Sequence, residues 1–386
     1  MQSTKVLSNK ELNFPDFDLL RLIKTVFAPK KKERLCILID LDNPEDIVNF
    51  NYLKMDGYPA QQKAHEIFYQ GLKNEVGTHL ELDAIDIYAY QMTSGSNLEL
   101  PSSVYTPDGK ALDLIKDVYQ KYDIILCIGT FSATAPLTAA AREYGFRGAT
   151  MHGLNDIIIN TGLAIDYIEA NKNIEKLRLG LTGADSADID FEVGDHKCHL
   201  HVYLGDQIAQ KSYGMCHKAK EIVHLPAGEV YFVPYDAEGS FPMKFDDGTI
   251  AHMIVSKGRV KKVILISGDQ NTVDEFQNKI NNDKAAGIIG ELGFGTQQLP
   301  FSGSDIQDEK IFGTFHLATG RNDHLHGSIN LDRFIDKKNA THDDILFSKE
   351  KTPEIKITKV TMKRNGKTEI LIENYEPKEY LLNLLK

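Results

Sequence analysis

In the first half of the chain, apolar residues come in short unbroken runs separated by amphipathic stretches. RLCILIDL (Arg34 to Leu41), DAIDIYAYQ (Asp83 to Gln91) and DIILCIG (from Asp123) read as strands. DFDLLRLIKTVF, PAQQKAHEIFYQGLKNEV, LDLIKDVYQKY and TAPLTAAAREYGF carry apolar positions at helical spacing, and RGATMHG is extended again. Unbroken apolar strands alternating with helices of this length predict βαβ units and a mostly parallel sheet covered on both faces.

Past about residue 185 the texture changes. LTGADSADIDFEVGDHK is polar and turn-rich, and beyond it strand-like runs dominate: CHLHVYLGD, GEVYFVP, AHMIVSKGRVKKVILISGD and KIFGTFHLATG. One helical segment, NTVDEFQNKINND, interrupts them. The closing stretch PEIKITKVTMKRNGKTEILIENY predicts a hairpin around an Asn-Gly turn. The expected organisation is an α/β N-terminal domain with a mostly parallel sheet over 1–185. An α+β C-terminal domain over 186–386 follows, carrying the chemistry.

Composition narrows the function classes. At 386 residues, with 42% hydrophobic and 26% charged residues, the chain is ordinary globular material. Its net charge of −11 leaves no positive excess to meet nucleic-acid phosphates or an anionic membrane surface. The runs Lys30-Lys31-Lys32 and Lys257 to Lys262 are short solvated patches. No apolar stretch approaches the ~18–20 residues of a spanning helix, and the N-terminus lacks the apolar core of a secretory signal. Cys36, Cys127, Cys198 and Cys216 form no CxxC pair, which argues against a disulfide framework or a cysteine-based zinc site. The chain reads as cytoplasmic. GTFSATAPL, after the third strand, lacks the GxGxxG spacing, and GxxxxGK[ST] is absent.

Candidate chemistry gathers in the second half, where all histidines except His65, His79 and His152 lie. In THDDILF, His342 and Asp344 stand two apart on a strand and so share a face, with Asp343 on the other. Alone, that pattern also fits a surface histidine beside solvated aspartates. Glu291 sits in the apolar, glycine-rich AAGIIGELGFG with no neighbouring base, where an unpaired buried carboxylate costs several kcal/mol. His316 lies between Phe315 and Leu317, and Glu229 opens the strand EVYFVP. Either alone reads as a core histidine or a strand-start glutamate. As a set, two glutamates, two histidines and an aspartate suit Zn²⁺, Co²⁺, Mn²⁺ or Fe²⁺. HExxH is absent.

HLPAGEVYFVP, IIGELGFGTQQ, DEKIFGTFHLATGRND and THDDILF resemble, in order, four segments of the M29 metalloaminopeptidases. The resemblance covers about residues 185–350. It implies a hydrolase that removes N-terminal residues from peptides. Its two divalent ions (zinc, cobalt or manganese) would be held by Glu229, Glu291, His316, His342 and Asp344, with Glu229 or Glu291 as ligand, bridge or general base. It also implies a homodimer. Three features depart from that family. His224 replaces an asparagine before LPxGE, the stretch after His316 lacks the family's tyrosine, and His196, His199 and His201 replace a threonine- and aspartate-containing strand. These departures point to an alternative in the related branch that resembles the 2,5-dihydroxypyridine dioxygenases. There His316, His342 and Asp344 would hold one Fe²⁺, and Arg321, His324 or His326 would orient an anionic aromatic substrate. A binding or assembly protein without chemistry is the third class, although all five ligand positions hold competent residues.

Overall fold

A computed structural model describes residues 12–386, which form three sheets with helices packed around them. The first is seven-stranded, with strands in the order Ile222–His224, Arg147–His152, Ile124–Gly129, Arg34–Leu41, Ala84–Gln91, Ser103–Tyr105 and Ala111–Asp113. The first five run parallel, and the last two add an antiparallel edge. Ile124–Gly129 is buried throughout, as a parallel strand covered on both faces must be. Helices Leu19–Phe27 and Thr134–Tyr144 supply part of that cover. The strand Ile222–His224 arrives from the later half of the sequence, so the sheet is completed by residues beyond 185.

The other two sheets are antiparallel. The eight-stranded one runs Arg259–Ser267, Ile250–Ser256, Asp236–Lys244, His196–Gln207, Ala184–Val193, Lys356–Arg364, Lys367–Glu373 and Glu376–Pro377. The expected terminal hairpin is present. Asn365 and Gly366 both take positive φ, as a two-residue turn matching strand twist requires. The helix Gln270–Asn282 packs on the edge strand Arg259–Ser267.

The five-stranded sheet positions the chemistry. Its order is His342–Phe347, Phe315–Gly320, Ile289–Gly295, Glu229–Phe232 and Gln210–Ser212. Alternate side chains go to opposite faces. Leu292, Phe294, Phe315, Leu317 and Phe347 join the core shared with the eight-stranded sheet. There Phe315 stacks on Phe347 with ring centroids 5.0 Å apart, a contact worth about 0.5–1.5 kcal/mol beyond its area. Between those core positions stand Glu291, Gly293, His316, Ala318 and Gly320, polar or small residues on the other face of strands that are nevertheless wholly buried. That face is the candidate site.

Candidate metal centre

Cross-strand register brings the acids and imidazoles together. Glu291 lies opposite Ala318, which lies opposite Asp344. His316 is opposite Gly293, His342 opposite Gly320, and Glu229 opposite Gly295. Each large polar side chain therefore faces a glycine or alanine across the ladder, and the vacated volume lets the ligand atoms converge. At Gly293 the room goes to a ligand directly, since a Cβ there would fall 2.2 Å from His316 Cε1. Gly293→Ala should displace that imidazole, weakening divalent-ion affinity about 10–100-fold with an overpacking cost of about 1–3 kcal/mol. Titration with Zn²⁺ and chemical denaturation would measure the two, and unchanged affinity would contradict the packing.

The five residues picked out in the sequence form one cluster. Glu229, Glu291 and His316 offer atoms within 4.8 Å of one another, as do Glu291, His342 and Asp344. His316 Nε2 stands 3.4 Å from one Glu291 oxygen, and His342 Nε2 stands 3.0 Å from the other. His342 Nε2 is also 3.2 Å from Asp344, which opens toward solvent while the other four are buried. Asp343 points away and pairs with Lys279 at 2.9 Å, as the strand alternation predicts.

Further groups complete the centre, and none stands out as a ligand in the sequence. Glu309 forms one ligand triad with His316 and Asp344 and another with His224 and Glu229. Lys310, wholly buried, places Nζ 2.8 Å from Glu229 and pairs with Glu309. His152 and His224 come from the carboxyl ends of adjacent parallel strands in the seven-stranded sheet. Open α/β sheets bind ligands in that position. The signal for Lys310 is present in the acid-lysine pair of DEK, but nothing in a sequence places that lysine against Glu229.

Charge shows whether the cluster suits a cation. Glu229, Glu291, Glu309 and Asp344 are four carboxylates facing the single permanent cation Lys310. Without an ion, protons make up the difference. Burial opposes the charge on His316, but Glu291, Glu309 and Asp344 overcome it and push the imidazole up to about 10. Burial likewise opposes charge on His342, and Asp344 and Glu291 raise it well above the ordinary range. Glu291 is held well below the usual carboxylate range because the His316 and His342 rings outweigh its burial. Burial pushes Glu309 up to about 8, against the pull of Lys310. A divalent ion would supply the charge that these protons supply, so the donor set fits a metal.

Other parts of the site orient these donors. The Arg321 carbonyl accepts a hydrogen bond from His342 Nδ1 at 2.6 Å, which turns Nε2 toward the carboxylates. The Arg321 guanidinium is buried and committed to Glu99 at 2.8 Å, Asp323 at 2.8 Å and the Asn97 carbonyl. His324 lies edge-on to His342 with centroids 4.8 Å apart. His326 is exposed at the rim of a cavity of about 320 Å³ that His224, Glu229 and His324 also line. A larger cavity, about 550 Å³, reaches the centre from the side of His342 and Asp344 and is lined by His152, Phe131 and Phe245. His199 and His201 lie elsewhere, on the eight-stranded sheet, paired with Asp190 and Asp188.

The fold and the cluster together define a buried carboxylate-imidazole site, able to hold a metal ion, near the carboxyl edge of a parallel sheet. No family model and no curated sequence matches the chain. Among solved structures it is similar to 2,5-dihydroxypyridine dioxygenase from Pseudomonas putida KT2440. The TM-score is 0.59 at 13% identity, covering 97% of this chain and 98% of that one. At that identity the likeness establishes a shared fold over nearly the whole of both chains. Among the described residues no helix is long and apolar enough to cross a membrane.

Proposed function

We propose that the chain is a non-haem Fe²⁺ dioxygenase that opens a hydroxylated aromatic or pyridine ring. The observation that carries this reading is Lys310. Its ammonium sits against Glu229 and Glu309, the carboxylates that a second ion would need, and leaves Glu291, His342 and Asp344 as the ligand triad free of the lysine, with His316 Nε2 3.4 Å from Glu291 beside it. Two histidines and one carboxylate with open positions suit iron and oxygen chemistry. The full-length likeness to a ring-cleaving enzyme supports the same choice over the aminopeptidase.

Bound there, Fe²⁺ would supply open positions for O₂ and substrate. The chain's own residues do the rest. Phe131, Phe245 and Met243 give the 550 Å³ cavity apolar walls for a planar ring. His152 lines the same cavity, and its Nδ1 has no partner among the described residues. Burial holds its imidazole down to about 4, so it stands neutral and able to accept a hydrogen bond from a ring hydroxyl.

Metal-free chain reloaded anaerobically with Fe²⁺, Zn²⁺, Co²⁺ or Mn²⁺ tests the reading. Only the iron form should consume O₂ with 2,5-dihydroxypyridine or another hydroxylated ring, at a stoichiometry near one iron per chain. Two zinc or cobalt ions per chain with cleavage of aminoacyl anilides would instead establish the aminopeptidase. That outcome has its own structural basis, because Glu291 belongs to both triads and could bridge two ions.

A further inference from the structure

The two cavities that meet the centre differ in unpaired charge. In the 550 Å³ cavity every lysine is matched by an acid. Lys279 pairs with Asp343 at 2.9 Å, Lys351 with Asp305 at 2.5 Å, and Lys244 with Glu354 at 2.9 Å. Its remaining acids are Asp246 and Asp344, the latter beside His342 at the centre itself. That flank suits a ring without a carboxylate.

The 320 Å³ cavity has the opposite character. Arg142 and Lys220 line it, and neither forms an ion pair among the described residues. Among the described residues, the one side-chain hydrogen bond of Arg142 is to the Asp323 carbonyl, at 3.5 Å. Lys211 is drawn away to Glu175 at 2.8 Å, and Glu229 is answered by Lys310. Glu221 is the remaining acid. At the inner end lies His324, a buried imidazole whose Nδ1 has no partner among the described residues. Two free cations and an imidazole, in a chamber of small-molecule size that Tyr213, Tyr231 and Leu325 also line, form a receptor for a small anion with an apolar body.

We infer that the 320 Å³ cavity is a second binding site, specific for a small organic carboxylate, meeting the centre through His224, Glu229 and His324 rather than through the residues of the ring-binding cavity. The site stands on its lining, while its link to turnover rests on the ring-cleaving reading. In that reaction O₂ breaks the bond between a hydroxyl-bearing ring carbon and its hydrogen-bearing neighbour and adds one oxygen atom to each. The first becomes a carboxylic acid and the second an aldehyde, and the four electrons they lose reduce O₂. At neutral pH the acid sheds its proton, so a ring without a carboxylate leaves as an anion of the class this cavity takes.

Calorimetric titration of the metal-free chain with benzoate, and with the neutral isostere benzamide, tests the site without calling on iron or catalysis. Benzoate should bind, benzamide should not, and raising salt should weaken the benzoate complex. In an Arg142→Gln/Lys220→Gln double variant the affinity should fall about tenfold or more. Both residues are exposed, so the variant should melt with the wild type. Absence of benzoate binding, equal binding of benzamide, or unchanged affinity in the double variant would overturn the assignment. Benzoate binding in a protein that consumes no O₂ with any ring would leave the site standing and remove only its connection to ring cleavage.

Discussion

Lys310→Met is expected to destabilise the metal-free chain by about 3–5 kcal/mol and to raise its divalent-ion capacity from one per chain to two. Lys310 is fully buried between Glu229 and Glu309. Burial opposes its charge, but the two glutamates outweigh that cost and hold the ammonium protonated far into the alkaline range. Methionine fills similar space without the charge, so two carboxylates would be left buried and unpaired. One response is protonation, for which Glu309 is already prepared. The other is a second cation, since His224, Glu229 and Glu309 already offer atoms within 4.8 Å of one another. The loop cannot simply withdraw. The Lys310 carbonyl accepts from the Thr296 and Gln297 amides, at 2.9 and 2.8 Å. Removing one stranded carboxylate as well, in Lys310→Met/Glu309→Gln, should recover part of the lost stability. Urea denaturation and metal analysis of the three proteins measure both effects. A single variant as stable as wild type, still holding one ion, would mean that Lys310 does not decide the stoichiometry.

Most of this centre is legible in the amino-acid sequence, because its parts sit where period and context make a polar residue anomalous. His342 and Asp344 are recognisable from strand alternation, and Glu291 from a carboxylate stranded among apolar and glycine residues. The parallel strands are legible for the same reason: a strand buried on both faces holds mostly apolar side chains. What stays hidden is pairing over long sequence distance. Arg321 looks like a free donor in a polar loop, yet its guanidinium is committed to Glu99 and Asp323. Its contribution to the centre is a backbone carbonyl, which no side-chain pattern reports. His152 ends an unremarkable parallel strand and becomes interesting only because that edge faces the five-stranded sheet. The glycines opposite the ligands are visible as letters. Their purpose, leaving room for an imidazole, needs the register. His196, His199 and His201 show the opposite case, since a dense histidine run is conspicuous in sequence while His199 and His201 simply pair with aspartates on another sheet.

The stability of the metal-free chain should fall by several kcal/mol between about pH 6.5 and pH 10, and a bound divalent ion should remove that fall. His316 is raised from 6.5 to about 10 in the folded chain. A base shifted upward contributes stability that is complete below its unfolded value and is lost as pH climbs through its folded one. Glu309, raised from 4.5 to about 8, acts in the same direction, because the folded state holds a proton that the unfolded state has released. Within its window each such proton changes stability by about 1.4 kcal/mol per pH unit. On the acid side His152 and His224, which burial holds neutral, cost stability as pH falls below 6.5, and Asp344 adds to that loss. It is lowered from 3.8 to about 2, since the His342 and His316 rings outweigh the desolvation of its inner oxygen, so its contribution is present above pH 3.8 and lost as pH falls through 2. A bound ion reverses the alkaline slope. It takes the place of the imidazole protons, so binding releases them and strengthens as pH rises. Denaturation at pH 6, 8 and 9.5, with and without one equivalent of Zn²⁺, should give curves that diverge steadily. If the metal-free chain were as stable at pH 9.5 as at pH 6, the protons on His316 and Glu309 could not be balancing the four carboxylates, and the charge argument for a cation at this centre would fail with them.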